Sequence, residues 1–496
     1  MRNIRYPSVW LLCGASLLAP AYAAYDNLPE SDCSLTQEML QLATDPSADL
    51  AKEYANFPAD PDNCMFHQIS WQTFLWLTTE ITNAQGKKVP RFLTFDRPES
   101  LWSGAPYGRN GEFYEFVQAG SDGVLVDQQG QPVYYSQYIN DTFVDFVSGN
   151  DLSQPGALSA FNANTPFPIG SMELKSSWKV VHDGMDTSGF YTMKADLMQL
   201  KNGFAGNGTS LVVDTSKKPV TKEVALVGLH IGLVVANHPE MIWASFEQDQ
   251  NAPVVDWPEQ GSDDSPKLDS DGQKATGALM VINQDTVISD QDWTFYQKGT
   301  PFEECNANQP ISSVRIDEAT QTFAQRTQVC RLYATGNYPY PVAGPNQQAI
   351  QTNDANVMHL NDTTLAQIKG SLWANYFEVG AIWFGQNDAL NPNEKYAQDD
   401  FTYRDPAGLP LNGNLTGSRM LSNATIETYT QLATAENNCF RCHNTEQNFY
   451  PPHEMASSGE TESLETLPGK NVNISFILRN GFEWQQVAEL ETNPKL

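Results

Sequence analysis

The spacing of apolar residues changes rhythm along this chain, and each change marks an element. Residues 24–60 are polar and read as loosely ordered, with one short helix over Thr36–Ala43. Phe66-His67-Gln68-Ile69-Ser70-Trp71-Gln72-Thr73-Phe74-Leu75-Trp76-Leu77 repeats apolar positions at helical spacing and predicts a buried helix, with His67 near its start. Residues 88–160 mix short β-like runs (Arg91–Phe95, Gly123–Val126, Val133–Tyr138) with Gly, Pro and Asn-Asp turns. Ser171–Val181, Val224–Val235 and Met241–Glu247 carry the pattern of strands at the core of a sheet. Residues 249–275 read as a long surface loop. Gly277–Ile288 returns to β character, and Ile316–Leu332 reads as a helix or strand that includes Cys330. Residues 333–357 look irregular. Asn361 or Asp362 then caps a helix through Leu365, Ile368, Leu372 and Phe377 to Trp383. After a loop over 387–418, Asn423 caps a helix Ala424–Leu432.

The sum is an α+β fold: a β-rich region over 24–340, with some helices, packed with a mainly helical region over 341–496. Strand alternation puts chemistry on one face. Glu173 shares a face with Lys175, His230 with Gly228 and Gly232, which leave room beside it, and Ser245 with Glu247. Four ionisable groups on a covered face must pair or bind something. Glu173, Lys175, His230 and Glu247 therefore form either a second site, metal-binding or acid–base, or a buried ion-pair network. A third use is a lysine paired with a cofactor carboxylate. No nucleophile elbow, phosphate loop, dinucleotide fingerprint or H-E-x-x-H motif occurs.

The densest chemistry is Cys439-Phe440-Arg441-Cys442-His443. C-x-x-C-H is the attachment signature of a c-type haem. Two thiols about one helical turn apart can add across the two vinyl groups of one porphyrin, and the next imidazole can turn under the ring to ligate iron. A zinc site would need two further soft ligands, and no second pair of that kind is present. A thiol–disulfide redox pair belongs at a helix start in a βαβ unit, early in its fold, whereas this one follows Asn437 and Asn438 near the chain's end. The expectation is one covalent haem c on Cys439 and Cys442, with His443 as the proximal axial ligand. For the distal ligand the candidates downstream are Met455, taken here as the first choice, and His453, in Pro451-Pro-His-Glu-Met455. Met358, His359 and Met420 are upstream alternatives, more ordinarily core residues, and an open site is the remaining one.

The N-terminus fits an exported protein. Arg2 and Arg5 precede a short apolar run, Val9–Ala19, and Ala21-Tyr22-Ala23 is a small-x-small cleavage site. Residues 1–23 read as a signal peptide. The run is short for a membrane span, and the mature chain holds no longer apolar stretch. Haem c attachment is completed outside the bacterial inner membrane, so the expected location is the periplasm. Besides Cys13 and the haem pair there remain Cys33, Cys64, Cys305 and Cys330. Four cysteines allow three pairings, of which proximity favours Cys33–Cys64 and Cys305–Cys330. The net charge is −30, and removal of Arg2 and Arg5 with no acid takes it to −32. Such a chain repels nucleic acid and anionic membrane surfaces and suits high-salt surroundings or a basic redox partner, although a generic solubility surface explains the charge at least as well.

Several stretches resemble a family. Phe66-x-x-x-Ser-Trp-Gln-x-Phe, Glu173-Leu-Lys-Ser-Ser-Trp178, Gly228-Leu-His-Ile231, Trp243-Ala-Ser-Phe-Glu247 with Asn251-Ala-Pro253, and Leu421-Ser-Asn-Ala-Thr-Ile-Glu-Thr-Tyr429 before the haem signature are similar, in this order, to exported bacterial cytochrome c family proteins. The resemblance runs from about Phe66 to His443. It implies a mono-haem c-type protein with a large N-terminal region of undefined role, and no reaction. Some members carry a histidine near the C-terminus, where this chain reads Asn473-Ile-Ser-Phe-Ile477. The expected function is single-electron transfer. The alternatives are a haem c-dependent oxidoreductase whose β-rich region binds a substrate or second metal, and a binding module stabilised by its haem.

Overall fold

The computed structural model describes residues 28–256, 283–337, 347–385, 390, 392, 415–431, 439–445, 467–482 and 484, apart from 103, 104, 106, 109, 155, 206 and 207. Residues 1–23, read from the sequence as a signal peptide, lie outside them. Among the described residues no helix is long and apolar enough to cross a membrane.

The fold is α+β, built on a seven-stranded antiparallel sheet. Its strands are β1 (Tyr134–Ile139), β2 (Met172–Val180), β3 (Thr192–Leu197), β4 (Val220–Val235), β5 (His238–Gln248), β6 (Tyr376–Phe384) and β7 (Leu415–Gly417). The order across the sheet is β7-β6-β5-β4-β2-β1. β4 is long enough to pair with β3 through Val220–Ala225 and with β5 through Gly228–Val235 along the same edge. A two-residue turn joins β4 to β5, with Asn237 at φ 68°, a left-handed conformation that asparagine tolerates. The three core strands expected from alternation are β2, β4 and β5.

Helices α1 (Gln37–Thr44), α2 (Ala51–Ala55), α3 (Asn63–Thr78) and α4 (Gln347–Gln367) belong to the N-terminal and central parts of the chain. The Asp62 carboxylate caps α3, accepting the Met65 N–H at 2.9 Å. The helix carries no Asp, Glu, Lys or Arg and is buried along nearly its whole length. Its Phe74 stacks on Phe246 of β5 at 4.1 Å, and Trp71 meets the same ring edge-on at 5.2 Å. Helix α4 joins the same layer, where the Asn361 side chain accepts a hydrogen bond from the Trp71 indole at 3.0 Å. His67 sits inside α3, buried between Glu378 of β6 at 3.0 Å and Asn353 of α4 at 2.9 Å. That layer covers one sheet face. Residues 421–431, 439–445 and 467–482 cover the other, where Trp243, Leu421, Phe440, Ile474 and Ile477 form one buried cluster.

Both expected disulfides, Cys33–Cys64 and Cys305–Cys330, are formed. Several expectations need correction. Residues 24–60 are not loose where described: α1 and α2 fold there, and Leu50 and Tyr54 are buried. Ile316–Leu332 is neither one helix nor one strand, but a small hairpin pairing Ile316–Asp317 with Thr322–Phe323. Residues 283–288, the described end of Gly277–Ile288, begin as a turn in which Thr286 N–H reaches Asn283 O at 2.8 Å and keep their β character only in an isolated antiparallel bridge of Val287 with Pro301. The helix expected from Asn361 to Trp383 is two elements. Gln347–Gln367, partly within the stretch read as irregular, is helical, and Gly370 at φ 91° ends the run. Tyr376–Phe384 is β6, paired with β5. Asn361 is no cap: its amide donates to Glu378 O at 2.8 Å and accepts Glu378 N–H at 3.1 Å, tying α4 to β6. Strands from both sides of residue 340 therefore share one sheet.

Candidate functional site

Cys439–Cys442 forms a single helical turn, extended by His443 N–H donating to Cys439 O at 2.7 Å. The turn sets the two thiols on one side, with Cys439 half-buried and Cys442 exposed. Phe440 anchors it in the core, 4.6 Å from the Phe384 ring.

The His443 imidazole is held by two aromatic rings and one hydrogen bond. It lies 4.0 Å from the Trp243 ring of β5 and stacks on Phe476 at 4.1 Å. Its Nδ1–H donates to Ile474 O at 2.9 Å, which directs Nε2 away as a free lone pair. Glu173 of β2 approaches Nδ1 to 3.8 Å, and the Ser475 hydroxyl donates to the other Glu173 oxygen. Burial pushes the Glu173 carboxyl up to about 8, against the Ser475 bond and the Lys175 charge. Burial also pulls His443 down to about 3; its bond to Ile474 opposes this, while Arg479, His230 and Lys175 add to it. Glu173 is thus largely neutral at pH 7, and His443 is neutral with an accepting Nε2, the form in which imidazole binds a metal.

This site opens into a cavity of about 1010 Å³, open solvent at its mouth included. Its walls include Cys439, Cys442 and His443, and also Glu173, Lys175, His230 and Glu427. Three of the four ionisable residues on the sheet face therefore belong to the pocket of the cysteine pair and do not form a separate site. The register explains it. Lys175, His230 and Ser245 lie side by side in one row across β2, β4 and β5, and Glu173, Gly232 and Trp243 in the next. The fourth, Glu247, shares the face but not the cavity. It pairs with Arg331 at 2.7 Å and accepts the Ala424 N–H at 2.6 Å. Lys175 pairs with Glu115 at 3.1 Å. The glycines do not leave room beside His230. Thr425, Ser177 and Asn423 fill the place of a Gly228 side chain, and Trp243 and Glu173 that of Gly232. Among the described residues no group of three or more His, Cys, Asp or Glu is arranged to hold a metal ion.

The helix expected over Ala424–Leu432 is also corrected. The Asn423 side chain accepts from Thr425 N–H at 2.9 Å and from its hydroxyl at 2.8 Å, and donates to Phe246 O at 3.1 Å. These bonds hold the segment as turns against the sheet, with one 3-10 turn at Thr428–Thr430. The segment brings Glu427 and Tyr429 to the cavity.

The distal-ligand candidates separate. Met455 and His453 lie outside the described residues. Met358 and His359 lie on α4, and Met420 is buried beside Cys330, Tyr333 and Ile350; none of the three lines the cavity.

The residues fit a covalently held haem. Two thiols one turn apart precede an imidazole with a free nitrogen, and all three line one cavity. Two buried polar atoms at the cavity, His230 Nε2 and Glu427 Oε2, have no hydrogen-bond partner. A side chain at Gly120, where φ is 67°, would meet the Tyr429 hydroxyl at 3.0 Å and Cys442 Sγ at 3.6 Å. Spacing alone did not reveal Ile474 as partner to His443, 31 residues away, nor Trp243 and Phe476 as its ring contacts. The one hint was that Trp243 and Asn473–Ile477 fall in stretches compared with the cytochrome c family. The chain matches no family model, no curated protein and no solved structure.

Proposed function

We propose that this is an exported mono-haem c-type cytochrome that passes single electrons between a donor and an acceptor, in keeping with its resemblance to cytochrome c family proteins. The observation that carries the reading is the setting of His443: an imidazole one residue past a C-x-x-C turn, neutral, tied by Nδ1 to Ile474 O, with Nε2 free. Bound haem iron would supply the one-electron couple. The chain would do the rest. Cys439 and Cys442 would hold the porphyrin covalently, and His443 would ligate from a fixed angle. Trp243 and Phe476 pack against the imidazole, and Lys175, on the same cavity wall, would offer positive charge to a propionate. The acidic chain, at −30, favours a basic redox partner.

A second reading, a haem c-dependent oxidoreductase, draws support from Lys175, His230 and Glu427 on the wall of the same cavity. Carbon monoxide binding to the reduced protein separates the two, since a six-coordinate carrier resists it. For the reading as a whole, Cys439→Ser and Cys442→Ser are each expected to weaken or abolish covalent haem on a haem-stained denaturing gel. Full stain in both variants would refute it.

A further inference from the structure

We propose that His230 is the second axial ligand of the haem iron, so that the porphyrin is held between the imidazole after the cysteine pair and one on the sheet's long strand. The assignment rests on the haem reading above and names the ligand that reading leaves open. Its first support is an unsatisfied atom. His230 Nε2 is buried at the cavity wall with no hydrogen-bond partner. Its nearest acidic oxygen is Glu427 Oε1 at 3.3 Å, an ion pair only if His230 is protonated, and that oxygen already accepts the Asn423 N–H. A buried imidazole nitrogen that makes no hydrogen bond is costly unless something binds it, and imidazole nitrogen is a common ligand of metals.

The second support is placement. His443 rests over the row of Glu173, Gly232 and Trp243, while His230 occupies the adjoining row with Lys175 and Ser245. Rows on one face are two residues apart along a strand, about 7 Å. The two imidazoles thus border one cavity from neighbouring positions on one rigid surface. β4 is flanked by β2 and β5 at this point, so the His230 backbone is fixed on both sides. The third support is comparison among the described candidates: Met358, His359 and Met420 do not line the cavity, and His230 does.

The test uses the full chain matured with its haem. The ferric wild type is expected to be low-spin, with a bis-histidine paramagnetic resonance signature and no methionine–iron band at the red end of the optical spectrum. His230→Ala is expected to lose the low-spin signature and to bind carbon monoxide when reduced, and added imidazole should restore the low-spin form. His453→Ala and Met455→Ala should leave the signature unchanged. A methionine band or a high-spin ferric wild type would overturn the assignment, and so would a low-spin signature retained in His230→Ala. If circular dichroism shows that His230→Ala does not fold, His453→Ala decides: a bis-histidine signature that survives supports His230, and its loss overturns it. A chain with no covalent haem by gel stain overturns the underlying reading as well, and the stain tells the two failures apart.

Discussion

Asp354 shows how far a buried side chain can depart from its ordinary chemistry. It sits on α4, accepting the Thr335 hydroxyl at 2.8 Å and the Asn337 amide at 2.9 Å. Burial raises its carboxyl from 3.8 to about 7, although those bonds, Asn353 and the His67 charge pull the other way. Between these values the folded chain keeps a proton that the unfolded chain has lost. The contribution of Asp354 to stability is therefore fully present below about pH 4 and is lost as pH rises toward 7, by at most about 1.4 kcal/mol per pH unit. Asp354→Asn keeps an acceptor for Thr335 and Asn337 and removes the titration. Its melting temperature should gain on that of the wild type between pH 5 and 8. Parallel melting curves across that range would show that Asp354 does not titrate as described. Glu173 and His443 follow the same rule in the cavity, where burial favours the neutral form of each.

At the scale of elements, the polar bonds on the cavity face of the sheet shape residues 421–431 more than local propensity does. Glu247 of β5 is the hinge of this arrangement. One of its oxygens takes the Ala424 N–H and the other the Arg331 guanidinium, which also donates to the carbonyls of Gln248, Asp249 and Ala252. Arg331→Met would strand a buried carboxylate and is expected to cost about 3–5 kcal/mol. Glu247→Gln should cost less, because Ala424 keeps an acceptor and Arg331 keeps its three carbonyls. Urea midpoints of the two variants check the order, and equal midpoints would contradict it. The same bonds explain what could be read from the sequence. β2, β4 and β5 were legible because alternation is local, and so was the shared face of Glu173, Lys175, His230 and Glu247. The 421–431 segment was not legible, since Asn423 looks like a helix cap until its partners on the sheet are known. β6 was hidden because apolar residues continue at helical spacing through Leu365, Ile368 and Leu372, and the break at Gly370 is a single residue. The cysteine pair and His443 were legible as contiguous chemistry, whereas Ile474, Trp243 and Phe476 become partners only through tertiary packing.

At the scale of the molecule, the candidate haem site draws on distant parts of the chain. β2 supplies Glu173, β4 His230, β5 Trp243, and the 474–476 stretch Ile474, Ser475 and Phe476. The cysteine turn alone would provide only the points of attachment. β6, which lies in the region read as mainly helical, pairs with β5 and so depends on residues 238–248 for its hydrogen bonds. Cut at residue 340, the C-terminal piece would expose the edge of β6, lose Trp243, the one ring against His443 that comes from the sheet, and so leave Phe440 and Ile477 without Trp243 as well. A fragment of residues 341–496 exported with a signal peptide is therefore expected to be proteolysed or poorly structured. Any haem it carries should lack the low-spin signature proposed for the full chain. Circular dichroism and limited proteolysis of the fragment beside the full protein decide it. A fragment that resists protease and keeps the full chain's spectrum would show that the C-terminal region folds by itself, and that the sheet does not shape the haem pocket.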